Sequence, residues 1–482
     1  MLLVFAIVLV HKNYFFFFFA VMMKHLYCTA GAGMEELLAE EVQHKLCATQ
    51  VEQISGRVFF CSNADLYTVT QLKSAERLFL LLRKTEPISL PNNPAKAAAV
   101  IKQGVVGDLD IWKQTLLTWT ALQEELQCSQ QRGHKRRREE DEEESLTVAD
   151  ESTHTPTSST DLLKRQNEIN KESHEQTPSF RVSCRCSGVI ARSYTSQRLG
   201  RIIGMAIKEH LGWKVDLKEP VLEVNVYLSD DHCVVGIPLL KHPLASRSYM
   251  KHNGLRSTIA WAMTSLCPKQ LNDCVILDPM CGVGAVLLEA AQEYSNAVFL
   301  GMDTDTSQLQ KAAENLKASG MEGRVQLLRS SAMEIPLADG AVDAVLCDVP
   351  FGRKFSCSSD MPTALPRLLR EMERVIRVGG HLVLLLSLQL SAQLKKTICT
   401  HKNNQHLNSS DTNNVHTDPS NTQNESKDTP KTLTFHKSSS ETSNTPLLFS
   451  SLQAQRTHRV SLGSTDAFIH IYTKIQTQAH SH

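Results

Sequence analysis

Between Val275 and Phe355 the chain holds two short apolar runs that each deliver an aspartate, and no other stretch restricts the fold as tightly. The first reads Val275-Ile276-Leu277-Asp278-Pro279-Met280-Cys281-Gly282-Val283-Gly284, then Ala285-Val286-Leu287-Leu288-Glu289-Ala290-Ala291. An apolar run that stops at an acid, turns through small residues and reopens with helical spacing predicts a strand, a glycine loop and a helix. The second reads Val342-Asp343-Ala344-Val345-Leu346-Cys347-Asp348-Val349-Pro350-Phe351-Gly352. It predicts another buried strand with Asp-x-Pro-Phe at its carboxyl end. In open parallel sheets ligands bind at that edge, so both motifs are expected to face one cavity.

Gly282 and Gly284 lack a side chain, which lets the backbone turn tightly and a ligand approach closely. The loop has neither the G-x-G-x-x-G of a dinucleotide site nor the Gly-Lys-Ser/Thr of a phosphate loop. The expected ligand is therefore nucleoside-like, without a pyrophosphate. The next apolar run, Ala297-Val298-Phe299-Leu300-Gly301-Met302, ends at Asp303, where an acid is placed to take two ribose hydroxyls. Asp348-Val349-Pro350-Phe351 points to the chemistry. An exocyclic base amine is a poor nucleophile because its lone pair is delocalised into the ring. A carboxylate beside a rigid carbonyl accepts both amine hydrogens, aligns the nitrogen with a methyl donor and favours the charge developing on transfer. Pro350 fixes the turn, and Phe351 offers a face for base stacking. The plain alternative is a capped turn after a buried strand. The order of glycine loop, Asp303 and Asp348, as one doubly wound sheet requires, favours the site.

These motifs resemble the THUMP-domain RNA guanosine methyltransferases. The likeness extends to Leu255-Arg256-Ser257-Thr258-Ile259-Ala260-Trp261-Ala262-Met263, to Phe180-Arg181-Val182-Ser183-Cys184-Arg185-Cys186-Ser187-Gly188 and to Val460-Ser461-Leu462-Gly463-Ser464-Thr465-Asp466-Ala467-Phe468. It implies an α/β fold: a Rossmann-like class I methyltransferase with a seven-stranded sheet, preceded by an α/β region containing a THUMP module. It implies S-adenosylmethionine as cofactor and the N2 amine of a guanosine as acceptor. The branch most resembled implies a guanosine of U6 spliceosomal RNA, with tRNA as the alternative substrate and a silent RNA-binding scaffold as the alternative class. The implied catalytic residues are Asp348, Pro350 and Phe351. The cofactor residues are Asp278, Pro279, Met280, Cys281, Gly282, Gly284, Asp303, Ser331 and Ala332. The family often has an acid after the third strand to accept the cofactor's adenine amine. Here Ser330-Ser331-Ala332-Met333-Glu334 places a serine there, leaving backbone groups or Glu334 to substitute. The family also implies a small zinc-binding activator subunit on an apolar edge of the sheet, and it places the Arg256-Ser257-Thr258 helix start by the methionine end of the cofactor.

At 482 residues the chain exceeds one ordinary core, so at least two domains are expected. The formal net charge is zero, which restricts any RNA site to a local patch. Thirteen cysteines with no C-x-x-C spacing predict reduced, mostly buried thiols in an intracellular protein and no metal site. Residues 1–25 form an apolar extension broken by His11-Lys12-Asn13, which argues against a span and for an extension upstream of a start at Met22 or Met23, with a membrane anchor as the alternative. Residues 26–127 form the N-terminal α/β part of the THUMP module. Helices are expected over 34–46, 64–82 and 95–127, and a hairpin around Ser55-Gly56. Glu76-Arg77 falls on the second helix as a solvated face. Trp112 and Trp119, seven apart, are expected to pack. Residues 128–178 form a charged linker without structure, whose His134-Lys135-Arg136-Arg137-Arg138 suits either a nuclear import address or a solvated charge run. With a U6-type substrate the expected location is the nucleus, with a cytoplasmic pool left open.

Residues 179–250 form the THUMP domain and the RNA-binding candidate. Arg181 and Arg185 alternate along a strand, Arg192 adds local basic charge, and Arg198 and Arg201 fall on an amphipathic helix expected over 197–210, with Arg353 and Lys354 placed to meet RNA beyond Phe351. The alternative pairs these arginines with local acids. The methyltransferase domain is expected over 251–390 and 456–475, interrupted by a polar insert over 391–455.

Overall fold

The computed structural model describes residues 23–91, 93–145, 177–267, 273–350, 361–396, 451–463 and 465–476. The chain divides into two units, one comprising residues up to 248 with 256–262, the other 249–255 with 263 onwards. Residues 1–22, which hold most of the apolar extension, lie outside the described residues. No helix among those described is long and apolar enough to cross a membrane.

The first unit is built on an eight-stranded sheet. In chain order its elements are β1 (Lys24–Thr29), α1 (Glu35–Leu46), β2 (Thr49–Ile54), β3 (Arg57–Ser62), α2 (Leu66–Thr70), β4 (Arg77–Thr85), α3 (Pro94–Ile101), α4 (Leu109–Ser145), β5 (Ser179–Cys186), α5 (Gly188–Ser193), α6 (Ser196–Leu211), β6 (Lys214–Val215), β7 (Leu222–Leu228) and β8 (Cys233–Pro238). The strands lie in the order β2-β3-β1-β4-β8-β7-β5-β6. Period-two sequence dictates the packing. In β7, Leu222, Val224, Val226 and Leu228 are buried while the residues between them are half-buried. Phe180 and Val182 of β5 meet Leu199, Ile203 and Ile207 of α6 in one cluster.

Three expectations for this unit give way. The segment 64–82 holds a single short helix followed by a strand, because Leu78, Phe79 and Leu80 are buried on both faces of the sheet. Glu76 is 8% exposed rather than solvated. The helical region splits at a π-turn over Lys102–Val106, and α4 then runs to Ser145, past the start of the expected linker. The tryptophans do pack: Trp112 Nε1 donates to the Val106 carbonyl (2.7 Å) and Trp119 Nε1 to that of Pro238 (3.2 Å).

The second unit carries β9 (Val275–Asp278), α8 (Ala285–Glu293), β10 (Val298–Asp303), α9 (Thr306–Ser319), β11 (Val325–Arg329), β12 (Val342–Asp348), α10 (Met361–Val375), β13 (Ile376–Ser387), β14 (Leu452–Leu462) and β15 (Thr465–Lys474), after the helix α7 (Ser257–Ser265) that starts in the first unit. Its seven strands lie in the order β11-β10-β9-β12-β13-β15-β14. Parallel pairing runs from β11 to β13, and β15 is antiparallel to both neighbours. The parallel strands are buried on both faces, hence the unbroken apolar runs in β12 and β13. Helix α10 closes one face with Leu365, Leu368, Leu369, Met372 and Val375, all at helical spacing. The domain reaches further than expected at the insert: residues 388–396 are helical and β14 begins at Leu452.

Candidate active site

From β9 the connections lead one way to β10 and β11 and the other way to β12 and β13. That reversal opens a crevice at the carboxyl ends of β9 and β12, the switch point at which open α/β sheets bind ligands. Asp278 ends β9, Asp303 ends the neighbouring β10 and Asp348 ends β12. The two motifs separated in sequence thus meet at one edge.

The glycine loop explains what the site can hold. Gly282 has φ +52° and Gly284 φ +82°, conformations that side chains rarely adopt. A Cβ added at Gly282 would meet nothing within 4 Å, so the loop leaves an open cradle there. Four of its N–H groups are spent internally. Met280 N donates to Asp278 Oδ1 (3.1 Å), Gly282 N to Asp303 Oδ2 (3.0 Å), Cys281 N to the Met302 carbonyl (2.8 Å) and Gly284 N to that of Cys281 (2.8 Å). A loop whose amides are already engaged makes a poor phosphate cradle but a good wall for a neutral nucleoside. Asn315 holds the loop from behind, through a contact that sequence reading missed. Its Nδ2 donates to the carbonyls of Val283 (3.0 Å) and His252 (3.1 Å), and its Oδ1 accepts from His252 N (2.9 Å). The available signal was a polar residue between Ala312 and Leu316 on the buried stripe of α9.

The acids are unevenly furnished. Asp303 also accepts from Asp305 N (2.9 Å), which fixes its carboxylate while leaving lone pairs for hydroxyl donors. Asp278 is 1% exposed, and burial, reinforced by Asp348 and Asp303, pushes its carboxyl well above the usual range. Asp348 is half-buried, and no donor among the described residues reaches its carboxylate. Burial pushes it up to about 7. Two thiols line the same region, Cys281 and Cys347, and burial raises both, so they stay protonated. Pro279 is buried and Met280 half-buried in this loop, and Ser331 and Ala332 follow β11 on the Asp303 side. Glu334, the candidate substitute for the missing acid, is exposed. Phe351, Arg353 and Lys354 lie outside the described residues.

The other candidate arginines do not form one patch. Arg181 and Arg185 lie on the sheet face opposite α6, because the alternate residues Phe180, Val182 and Cys184 pack on the helix side. Arg181 is taken up by Glu223 (2.8 Å). Arg198 stacks over Tyr194 at 5.0 Å, and Arg192 and Arg201 are exposed on the helical side. In the same unit Arg256, at the start of α7, donates through Nε to Glu76 Oε1 (2.6 Å) and through a second nitrogen to Oε2, while Thr258 Oγ1 donates to Oε1 (3.1 Å). Both side chains are thus engaged with Glu76 of their own unit. The eleven described cysteines are free thiols, six of them buried.

The family of RMKL-like methyltransferase domains matches residues 245–423, and the THUMP domain family matches residues 156–237. The chain is 39% identical to the U6 snRNA (guanine-N(2))-methyltransferase THUMPD2 of Homo sapiens, a match covering 93% of this chain and 95% of that protein. It is 36% identical to the same-named protein of Bos taurus, with the same shares covered. The tRNA (guanine(6)-N(2))-methyltransferase THUMP3 of Bos taurus is 28% identical, across 75% of this chain and 81% of that one. Among solved structures, TrmN from Thermus thermophilus superposes with a TM-score of 0.60 at 20% identity, covering 94% of this chain and all of that one, which supports the fold. Sequence motifs, strand order and these likenesses agree: the chain belongs to the THUMP-domain RNA guanine-N2 methyltransferases.

Proposed function

We propose that the chain transfers a methyl group to the N2 amine of a guanosine in U6 small nuclear RNA, and that Asp348 is the residue on which the transfer depends. The substrate follows the relatives that match nearly the full length, the U6 enzymes, over the tRNA enzymes that match three quarters of it. The residues present fit S-adenosylmethionine, with Asp303 offering its lone pairs to the ribose and the Gly282 cradle leaving room beside it. When bound, that cofactor supplies an electrophilic methyl on a sulfonium.

The observation that carries the reading is Asp348 itself. It is a half-buried carboxylate at a switch point, with no donor among the described residues, beside the rigid Val349-Pro350 turn. Two amine hydrogens match two acceptors that take no bond from the described residues, the carboxylate and the Val349 carbonyl. Accepting both favours a pyramidal nitrogen, whose lone pair is withdrawn from the ring and directed at the methyl donor. The carboxylate then balances the positive charge that grows on nitrogen. Its raised proton affinity also suits it to take the surplus proton before releasing it to water. Asp278, its carboxyl raised well above the usual range by burial, shapes the glycine loop by accepting from Met280 N. The arginines of the first unit supply RNA contact, and a small zinc-binding activator subunit completes the enzyme, as the family resemblance implies. The location that follows is nuclear.

The test is a methylation assay on U6 RNA and on tRNA with the activator subunit present, the product nucleoside being identified by mass spectrometry. N2-methylguanosine in U6 and not in tRNA is expected. Modification of tRNA alone would transfer the activity to the second substrate. Binding of both RNA and cofactor with no product in either would establish a silent scaffold instead.

A further inference from the structure

The first unit holds a cavity of its own, about 530 Å³ in volume, a size that suits a small molecule. It opens where three chain segments of the eight-stranded sheet converge: the end of β2 with its turn into β3, the end of β4, and the turn between β7 and β8. Glu52, Ser55, Lys84, Glu86, Asp231 and His232 line it. His232 is the buried member of this set, 8% exposed, and its Nε2 has no hydrogen-bond partner. Buried polar atoms in native structures nearly always pair, so an orphan nitrogen in a cavity wall calls for a partner from outside the chain.

The local bonds say what kind of partner is missing. The Ser229 hydroxyl donates to the His232 carbonyl (3.1 Å) and lies 3.4 Å from His232 Nδ1. With the hydroxyl proton spent on the carbonyl, Nδ1 carries the ring hydrogen, and Nε2 is left as a bare acceptor. Burial, with Arg57 and Lys84 nearby, holds the imidazole below its ordinary range, so the ring is uncharged above pH 7. Nδ1 faces the turn between β7 and β8. The charges that bear on the ring include Asp231, Lys84 and Glu52, and all three line the cavity.

The rest of the lining favours a cation. Glu52, Glu86 and Asp231 set three carboxylates against one ammonium. That ammonium, on Lys84, is already paired with Glu52 and lies over the Phe59 ring at 4.7 Å. The carboxylates of Glu86 and Asp231 take no hydrogen bond from the described residues. An anion, RNA phosphate included, would meet net negative charge here. Among the described residues no three metal-ligating side chains stand together, which sets a metal ion aside. We propose that this cavity binds a primary ammonium group, with His232 Nε2 and the carboxylates of Asp231 and Glu86 as its acceptors. An alkylammonium carries three donors and no acceptor, the complement of that lining. A free polyamine and a lysine side chain of another protein share this chemistry.

The experiment titrates the purified full-length protein, by calorimetry, with spermidine and separately with Nα-acetyl-lysine methylamide. The first stands for a free polyamine and the second for a lysine side chain. The Nε-acetylated form of the second, which has lost its charge, is the control. Saturable binding of an ammonium probe and none of the control are expected. A clear preference for spermidine assigns the site to a polyamine, and comparable binding of the lysine amide assigns it to a side chain. His232→Phe keeps a ring beside Tyr227, at 5.5 Å in the native pair, and removes the acceptor without changing net charge. Affinity in that variant should fall about tenfold, the worth of one hydrogen bond to a charged group. Circular dichroism checks the fold, and should the variant not fold, Asp231→Asn carries the same comparison. Unchanged affinity in a folded variant overturns the site, because the probe then binds scattered surface acids. Binding of neither ammonium probe by the wild type overturns it as well.

Discussion

Glu41 and Glu76 in the first unit, and Asp278 and Asp348 in the second, are acids buried or half-buried in the fold, which furnishes the two pairs in opposite ways. Glu41, 4% exposed, accepts from Lys73 N (2.8 Å), from Ser74 N (2.9 Å) and from the Ser74 hydroxyl, with Lys45 at 3.0 Å. Glu76 is clasped by Arg256 and Thr258. Asp278 receives one backbone N–H, and Asp348 receives nothing from the described residues. Burying a carboxylate without donors destabilises the fold, so it persists where something outside the chain will use it. The difference separates acids that hold the protein together from acids held in readiness, and it can be tested at both ends.

The largest effect is expected at Asp348. Asp348→Asn keeps the shape and replaces one acceptor by a donor, so methylation should fall by about 100- to 1000-fold while affinity for S-adenosylhomocysteine stays within about twofold. The same variant should be more stable. A carboxyl raised to about 7 binds its proton more tightly in the folded chain than in the unfolded one. Wild-type stability therefore declines as pH rises from the ordinary carboxylate range to about 7, and the asparagine variant escapes that decline. Above pH 7 a gain of about 1–2 kcal/mol is expected, discounted because the carboxyl is partly open to water, and it should vanish below pH 4. Thermal melts of both proteins at pH 4 and pH 8 check it. A variant that loses stability at pH 8 would place Asp348 with the structural acids.

Glu76→Ala should do the reverse. It leaves the Arg256 guanidinium and the buried Thr258 hydroxyl without their acceptor, and a loss of about 2–3 kcal/mol is expected on urea unfolding of the first unit. Cofactor affinity is expected to be unchanged, because Glu76 and its partners all lie in the first unit. A fall in cofactor binding without a fall in stability would return Arg256 and Thr258 to the site.

The pH–rate profile sharpens the comparison further. Asp348 accepts hydrogens only as the carboxylate, which predominates above about 7. Turnover at saturating cofactor should rise roughly tenfold between pH 6 and pH 8, as expected for one group ionising across that interval. A flat profile would mean that the carboxyl is already ionised in the working enzyme, its proton displaced by substrate.

The readiness of these acids was legible in sequence because it is a matter of order. An apolar run ending in Asp278, a glycine loop, Asp303 at the next strand end and Asp348 before Val349-Pro350 fix a parallel sheet and its ligand edge through local pattern alone. Glu76 was not legible. Its donors come from Arg256 and Thr258, about 180 positions downstream, and helical spacing across 64–82 hid a strand whose burial only the sheet reveals. Tertiary packing overrode local periodicity there, as it did at Asn315 and at Arg374, polar residues on helices whose partners are loop carbonyls far away in sequence.

The smallest expected effect tests whether pairing also sorts the arginines. Arg181 is held by Glu223 across the sheet (2.8 Å) and is half-buried, whereas Arg201 stands exposed on α6. A guanidinium already engaged by a carboxylate releases little counterion when RNA arrives, so it adds little to affinity. Arg181→Ala should change RNA affinity by less than about twofold, and Arg201→Ala by roughly threefold, with a shallower salt dependence for the second variant alone. The comparison is made by titrating the same U6 RNA at two salt concentrations. If Arg181→Ala gave the larger loss and the larger change in slope, Glu223 would be a device that orients Arg181 towards phosphate, and the sheet face opposite α6 would be the surface that RNA meets.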